Sequence, residues 1–163
     1  MTKLATLFAI LVATGGLFGC QATTNEGCAG PDARAQPGSF DPNYADSPAF
    51  FTQMPALRDG TSIHRATQIF YSCDLYGRLD ARPLDVPEGT VAIKRQAKLG
   101  SDSVSALRVM IRKEKGFDPE HGDFAFEARD PDGKYLGSGG PGFCFGCHQG
   151  YAETGFFAGT ALH

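Results

Sequence analysis

The chain has 163 residues, of which 42% are hydrophobic, and this suits one globular domain with little room for a second. Its formal net charge is -3, and acidic and basic residues are interspersed, so the sequence contains no basic stripe that would bind nucleic acid. Nucleic-acid partners are therefore excluded from the functions that we consider.

The first predicted element is an export signal over residues 1–19. Lys3 gives it a positive start, and the apolar run that follows is too short to span a bilayer. The signal ends in "LFGC", which is similar to the bacterial lipobox, so Cys20 is the expected site of lipidation. Gln21 after this cysteine is typical of sorting to the outer membrane. We therefore expect a periplasmic lipoprotein anchored to the outer membrane; an ordinary secretory signal with an incidental Cys20 is the alternative.

A tether and then the folded domain follow the signal. Residues 20–47 are small and polar with several prolines, a composition that predicts a flexible tether. The domain is expected over 48–163. At its beginning, the Ser-Pro start and the apolar spacing of "SPAFFTQMPALRDG" (47–60) predict a short helix broken near Pro55.

Four segments of the domain predict β-strands, because apolar and polar residues alternate in them or because they are rich in β-branched and aromatic residues. These segments are "RATQIFYS" (65–72), "GTVAIKRQ" (89–96), "SALRVMIRKE" (105–114) and "GDFAFEARD" (122–130). Turn sequences rich in Gly, Asp and Pro separate the later ones. The predicted class is α+β, with a mainly antiparallel β-sheet and flanking helices.

The five cysteines are informative because disulfides persist in an exported protein. If Cys20 carries lipid and Cys144 with Cys147 form a functional pair, then Cys28 and Cys73 remain. A disulfide between these two is the simplest assignment, and two free thiols are the alternative.

The motif "CFGCH" contains Cys144, Cys147 and His148 in the C-x-x-C-H spacing that attaches c-type haem. Two cysteines three residues apart can each form a thioether with one vinyl group of a porphyrin. The histidine that follows can then ligate the iron. The motif therefore predicts covalent haem c, with His148 as the metal ligand.

Two other readings of this motif fit the sequence less well. A structural zinc site usually has four protein ligands, and His64, His121 and His163 supply no matching second pair. A redox-active C-x-x-C pair usually begins a helix in a βαβ unit, and the predicted strands contain no such unit.

The order of three segments resembles the cytochrome P-460 family, which includes cytochrome c′-beta. These segments are "PEGTVAIK" (87–94), "IRKEKGFDPEHGDFAFEARDPDGK" (111–134) and the carboxy-terminal "CFGCH", within roughly residues 60–150. The resemblance implies a mainly antiparallel β fold that ends in a haem-attachment helix and often forms a homodimer. It also implies a high-spin haem with an open distal position.

The resemblance assigns roles to three further residues, and the chemistry of a carboxylate adds Glu127. Lys94 occupies the position of a lysine that is covalently bonded to the porphyrin in cytochrome P-460; a solvent-facing lysine is the alternative. Gln68 stands where the hydroxylamine-oxidising members place a distal arginine, and it carries no charge. Phe70, on the same strand face as Gln68, is expected to crowd the distal side. Glu127 is the candidate proton relay, and an exposed sheet residue is the alternative.

Three functions follow from these expectations. The first is oxidation of hydroxylamine or nitric oxide, with a soluble redox partner protein that accepts the electrons. The second is nitric oxide binding without turnover, as in cytochrome c′-beta. The third is an electron carrier whose sixth iron ligand is Met54 or Met110, although packing is the simpler role for both methionines.

Overall fold

A computed structural model describes Cys28 and residues 38–54, 57–59, 66–98, 101–138, 146 and 148–156. Seven strands form one antiparallel sheet in these ranges: β1 (Phe50–Phe51), β2 (Arg58–Asp59), β3 (Ala66–Ser72), β4 (Val91–Ala97), β5 (Val104–Arg112), β6 (Phe124–Arg129) and β7 (Tyr135–Ser138). Short 3₁₀ helices span Cys73–Leu75, Pro119–His121 and Gln149–Thr154. No helix in the described ranges has the length and apolar character needed to cross a membrane.

The strand order is β1-β3-β4-β5-β6-β7, and β2 also pairs with β3. Every pairing is antiparallel, which confirms the mainly antiparallel β fold that the sequence predicts. The central strands β3 to β6 correspond to the four predicted segments, in which alternation and β-branched and aromatic residues favour strands. The predicted haem-attachment helix falls mainly on residues outside the described ranges.

Cross-strand partners project from the same face of a sheet, so the register defines two faces. The front face has two neighbouring rows across β3 to β6. The apolar row is Tyr71, Ala92, Met110 and Phe126, and the cationic row is Ile69, Lys94, Arg108 and Ala128. The back face carries Gln68, Arg95, Leu107 and Arg129, and also Phe70, Ile93, Val109 and Glu127.

Each face is covered by a different part of the chain. Apolar side chains of the segment 75–86, among them Leu75 and Leu84, pack on the apolar row of the front face. On the back face, Tyr44 packs against Phe70 with ring centroids 5.0 Å apart. The sheet is therefore the centre of the domain and has one hydrophobic cluster on each side.

Residues 38–47 belong to this packed domain, although the sequence predicts them as part of the tether. The Tyr44 side chain is 7% exposed, and the guanidinium of Arg129 lies 4.2 Å from the centre of the Phe40 ring. The two aromatic rings hold this segment against the back face, so the packed domain begins earlier in the chain than residue 48.

The short helix predicted over 47–60 is wrong, because the described part of this segment forms β1 and β2. Phe50 and Phe51 are both buried, and they contribute to different hydrophobic clusters on opposite faces of the sheet. Consecutive residues reach opposite faces in a strand, whereas a helix would direct both of them to one side.

Cys28 and Cys73 form a disulfide, with Cα atoms 5.1 Å apart and a sequence separation of 45 residues. This is the pairing that the cysteine count predicts. Cys73 directly follows β3, so the bond joins Cys28 to the end of an inner strand of the sheet. Closing a loop of this length stabilises the fold by about 3–4 kcal/mol, chiefly through the unfolded chain.

Tyr71 should make the protein sensitive to alkaline pH, because burial raises the pKa of its hydroxyl above the ordinary value of 10.0. Above that pH the unfolded chain loses this proton while the folded protein retains it, so stability falls as pH rises. The loss is about 1.4 kcal/mol for each pH unit above 10. Urea unfolding at about pH 9 and pH 11 should therefore show a smaller decline for Tyr71→Phe than for the wild type.

The control for this experiment is Tyr135→Phe, because the Tyr135 side chain is half exposed on β7. It should decline with pH as steeply as the wild type. An equal decline in Tyr71→Phe and the wild type would show that another group causes the alkaline loss.

Candidate functional site

His148 lies on the front face of the sheet, just before the 3₁₀ helix Gln149–Thr154. Its imidazole meets the ring of Phe126 edge to face, with centroids 5.7 Å apart. Phe126 belongs to the apolar row, so the histidine of the C-x-x-C-H motif stands next to the most apolar part of this face.

The tautomer of His148 is fixed by one hydrogen bond. Nδ1 lies 2.5 Å from the backbone oxygen of Phe156, and because a carbonyl only accepts, Nδ1 must carry the proton and donate it. Burial lowers the pKa of the imidazole; this hydrogen bond opposes the effect and the charge of Lys94 adds to it. The neutral form is therefore favoured, and its Nε2 keeps a free lone pair for a metal ion.

The Phe156 carbonyl is held in place by an unusual backbone. Phe156 is left-handed with φ 65°, a conformation that costs a residue with a side chain about 1 kcal/mol. Its amide donates to the Tyr151 oxygen at 2.8 Å, and its ring packs on Phe124 with centroids 5.9 Å apart. This packing offsets the strain and directs the carbonyl at His148.

Two glycines allow the carboxy-terminal segment to pack this closely. Gly122 has φ 65°, and a Cβ atom there would overlap the ring of Phe156. Gly155 has φ 62°, and a Cβ atom there would overlap the side chain of Val86. The amide of Leu84 also donates to the oxygen of Glu153 at 2.9 Å. The segment that carries His148 is thus tied both to the 113–123 loop and to the 84–86 segment.

Lys94 shares the front face with His148 and is near enough for its charge to lower the histidine pKa. Its Cα partners across the sheet are Ile69 on β3 and Arg108 on β5. The structure therefore brings Lys94 and His148 together, and it adds Arg108 to them.

Gln68 lies on the back face, because its partner on β4 is Arg95 and not Lys94. It is buried, its Nε2 donates to the oxygen of Met54 at 2.8 Å, and its Oε1 accepts from Nη1 of Arg95 at 3.0 Å. The resemblance makes Gln68 a distal residue and Lys94 a bond to the porphyrin edge, but the register directs these two side chains to opposite faces of the sheet.

Phe70 also lies on the back face, opposite Ile93 on β4. Its ring is buried and meets Tyr44 edge to face, so it forms part of the back hydrophobic cluster. It does not share a face with His148.

Glu127 completes the set of residues that the register directs away from His148. Its partner on β5 is Val109, and its Oε2 lies 2.7 Å from Nη2 of Arg129. Arg129 in turn lies over the ring of Phe40. Glu127 therefore holds the guanidinium that packs on Phe40, and in this way it helps to join β6 to residues 38–47.

Three of the predicted site residues, Cys20, Cys144 and Cys147, lie outside the described residues. Within the described ranges, His, Cys, Asp and Glu side chains do not gather in groups of three that could hold a metal ion by themselves.

The residues near His148 can be compared with what haem needs, namely a neutral imidazole for its iron and an apolar surface for its ring. His148 has the neutral imidazole, with Nδ1 occupied by the Phe156 carbonyl. The apolar row beside it is covered by the 75–86 segment, so within the described residues it is not an open surface.

Sequence reasoning misses Arg108 and the carbonyl of Phe156. Alternation along β5 shows that Arg108 and Met110 project from one face of the sheet and Leu107 and Val109 from the other. It does not show which of these pairs shares a face with Lys94. That depends on strand register, which is a property of the folded sheet.

No protein-family model matches the chain, and no curated protein is significantly similar to it.

Gly122→Ala should destabilise the protein, because a methyl group there must displace the ring of Phe156 and adds left-handed strain. We expect the unfolding free energy to fall by about 2–3 kcal/mol. The control is Gly116→Ala in the same loop, where φ is 95° and a Cβ atom would meet nothing within 4 Å.

Urea unfolding followed by circular dichroism measures both variants. The control includes the backbone strain without the overlap, so Gly122→Ala should be the less stable of the two. Equal stabilities would mean that Phe156 does not pack on Gly122.

Proposed function

We propose that this chain is an exported mono-haem c-type cytochrome of the cytochrome P-460 family. Haem c would be attached through Cys144 and Cys147, with His148 as the iron ligand. The observation that carries the proposal is the state of His148: its Nδ1 donates to the Phe156 carbonyl, which leaves Nε2 free beside the apolar row. A C-x-x-C-H motif in which the histidine is neutral and oriented is what haem attachment requires.

Once bound, haem would supply a redox-active iron that can also bind a small ligand. The chain supplies the surroundings. The Phe156 carbonyl increases the basicity of His148 through Nδ1 and keeps its ring from rotating. Phe126 keeps water from one side of the imidazole, because its buried ring meets that of His148 edge to face.

We propose that the activity is binding of a small nitrogen species, nitric oxide or hydroxylamine. Oxidation of hydroxylamine releases protons and needs a base, yet neither row of the front face contains a carboxylate. Glu127, the carboxylate that the sequence favours as the relay, lies on the back face in an ion pair with Arg129. These positions favour ligand binding without turnover.

Oxidation of hydroxylamine is the second candidate, and Lys94 is the observation that favours it. Lys94 shares the front face with His148, so a bond from its Nζ to the porphyrin edge is compatible with its position on β4. The base would then be a residue other than Glu127, and a soluble redox partner protein would take the electrons.

We further propose export to the periplasm and attachment to the outer membrane through a lipid on Cys20. The disulfide between Cys28 and Cys73 supports export, because such bonds persist outside the cytoplasm.

Cys144→Ser with Cys147→Ser should abolish covalent haem when the protein is expressed with c-type maturation machinery. The reason is that the variant lacks both sulfurs that form thioethers. Intact-protein mass spectrometry would show that the mass of haem is missing. Cys20→Ser is the control: it should lose incorporation of a fatty-acid analogue and keep its haem. Wild-type protein without covalent haem would contradict the proposal, and continued lipid labelling of Cys20→Ser would contradict the anchor.

The absorption spectrum and haem peptides of the wild type should separate binding from oxidation. Our proposal predicts a high-spin spectrum, stoichiometric binding of nitric oxide and a haem peptide that is not joined to the Lys94 peptide. Lys94→Arg keeps the positive charge and cannot form the cross-link, so its spectrum should match that of the wild type. A red-shifted Soret band that Lys94→Arg loses, with hydroxylamine turnover, would establish the second candidate. A low-spin His/Met spectrum would contradict both.

A further inference from the structure

The disulfide between Cys28 and Cys73 lies close in sequence to the proposed lipid anchor. Cys28 is eight positions after Cys20, and its bond to Cys73 fixes it at the end of β3. A chain of eight residues spans at most about 26–29 Å in any conformation. Cys28 therefore lies no farther than this from a lipid on Cys20.

Without the disulfide, the connection between the anchor and the domain would be about twice as long. The next described residue after Cys28 is Gly38, whose amide donates to the oxygen of Gly89 at 3.1 Å. The eighteen positions from Cys20 to Gly38 span about 59–65 Å when fully extended. The disulfide thus limits how far the domain can move from its anchor.

The surface next to Cys73 presents an aromatic side chain to solvent. Tyr76 is 47% exposed, and its amide donates to the oxygen of Cys73 at 3.0 Å, so it lies one turn from the disulfide. Its ring meets that of Phe51 edge to face, with centroids 5.3 Å apart, and this contact supports one part of the ring. Tyrosine is enriched where proteins meet the headgroups of a membrane, because it has an apolar ring and a polar hydroxyl.

The charges near Tyr76 do not by themselves favour a membrane. Residues 74–85 contain two arginines and three aspartates, so this segment has no excess of positive charge for anionic headgroups. A contact with lipid at this surface depends instead on the short connection to Cys20. A short connection keeps the surface at a high effective concentration near the membrane, where a weak contact can form.

We propose that the surface around Tyr76 faces the phospholipid membrane and that the Cys28–Cys73 disulfide holds it there. This inference rests on the proposed attachment through Cys20. The disulfide then has a role besides stability, because it sets the distance and the orientation of the domain relative to the membrane.

Tyr135 marks a surface that should face away from the membrane. Its partner is Arg129, at the end of β6 that lies away from Cys73. Four strand spacings, about 19 Å, separate β3 from β7 across the sheet. Tyr135 is 52% exposed, so it matches Tyr76 in type and exposure and differs in position.

The test uses single tryptophans as probes, because the chain has no tryptophan of its own. The full-length lipidated protein is bound to vesicles of phosphatidylethanolamine and phosphatidylglycerol, with or without bromine on the acyl chains. Bromine should quench Tyr76→Trp at least about twofold more than Tyr135→Trp, because only the first position contacts lipid. Each variant is compared with itself, so quenching by haem cancels.

A longer connection tests the role of the disulfide. Inserting about ten Gly and Ser residues between Thr24 and Asn25 lengthens the connection and leaves both cysteines in place. The insertion should reduce the quenching of Tyr76→Trp to that of Tyr135→Trp. Cys28→Ser combined with Cys73→Ser should have the same effect.

The outcomes separate this inference from the proposed anchor. Equal quenching of the two tryptophans in lipidated protein would overturn the membrane-facing surface and leave the anchor standing. Quenching of Tyr76→Trp that the insertion does not change would overturn the role of the disulfide. Wild-type protein that incorporates no fatty-acid analogue would overturn both proposals. Should Tyr76→Trp fail to fold, Arg78→Trp places the probe on the same exposed segment, and its quenching must exceed that of Tyr135→Trp.

Discussion

The pairing of Lys94 with Ile69 on one side and Arg108 on the other is the constraint on which the rest of the site depends. Side chains alternate between faces along a strand, so a shift of one residue would bring Gln68 into the position of Ile69 and exchange every face assignment. The register therefore decides which charges meet His148. It brings two cations to that side of the sheet and directs Glu127 to the other.

The strands could be predicted from the sequence because alternation of apolar and polar residues is a local signal. The distal roles expected for Gln68 and Phe70 had no such basis, since both faces of the central strands are buried and alternation alone does not show which face of β3 meets the face of Lys94. The helix predicted over 47–60 failed for a related reason. Phe50 and Phe51 look alike in the sequence, and only the neighbouring strand shows that each is buried on a different side.

The motif that contains His148 could be found without a fold, because its chemistry depends on spacing within five residues. The partner of its Nδ1 could not be found in this way. The carbonyl of Phe156 reaches the imidazole only because the chain turns left-handed there, next to Gly122 in a loop far away in sequence. Such a contact combines a local strain with a distant packing surface, and neither leaves a pattern that periodicity detects.

The register also bears on the proposed choice between binding and catalysis. A protein that oxidises hydroxylamine must remove protons, whereas one that binds a neutral diatomic ligand needs an oriented iron ligand and no base. His148 is neutral and held by a backbone carbonyl, while Glu127 lies on the far face of the sheet in an ion pair with Arg129. A binding role therefore requires less of the residues that share a face with His148 than a catalytic role does.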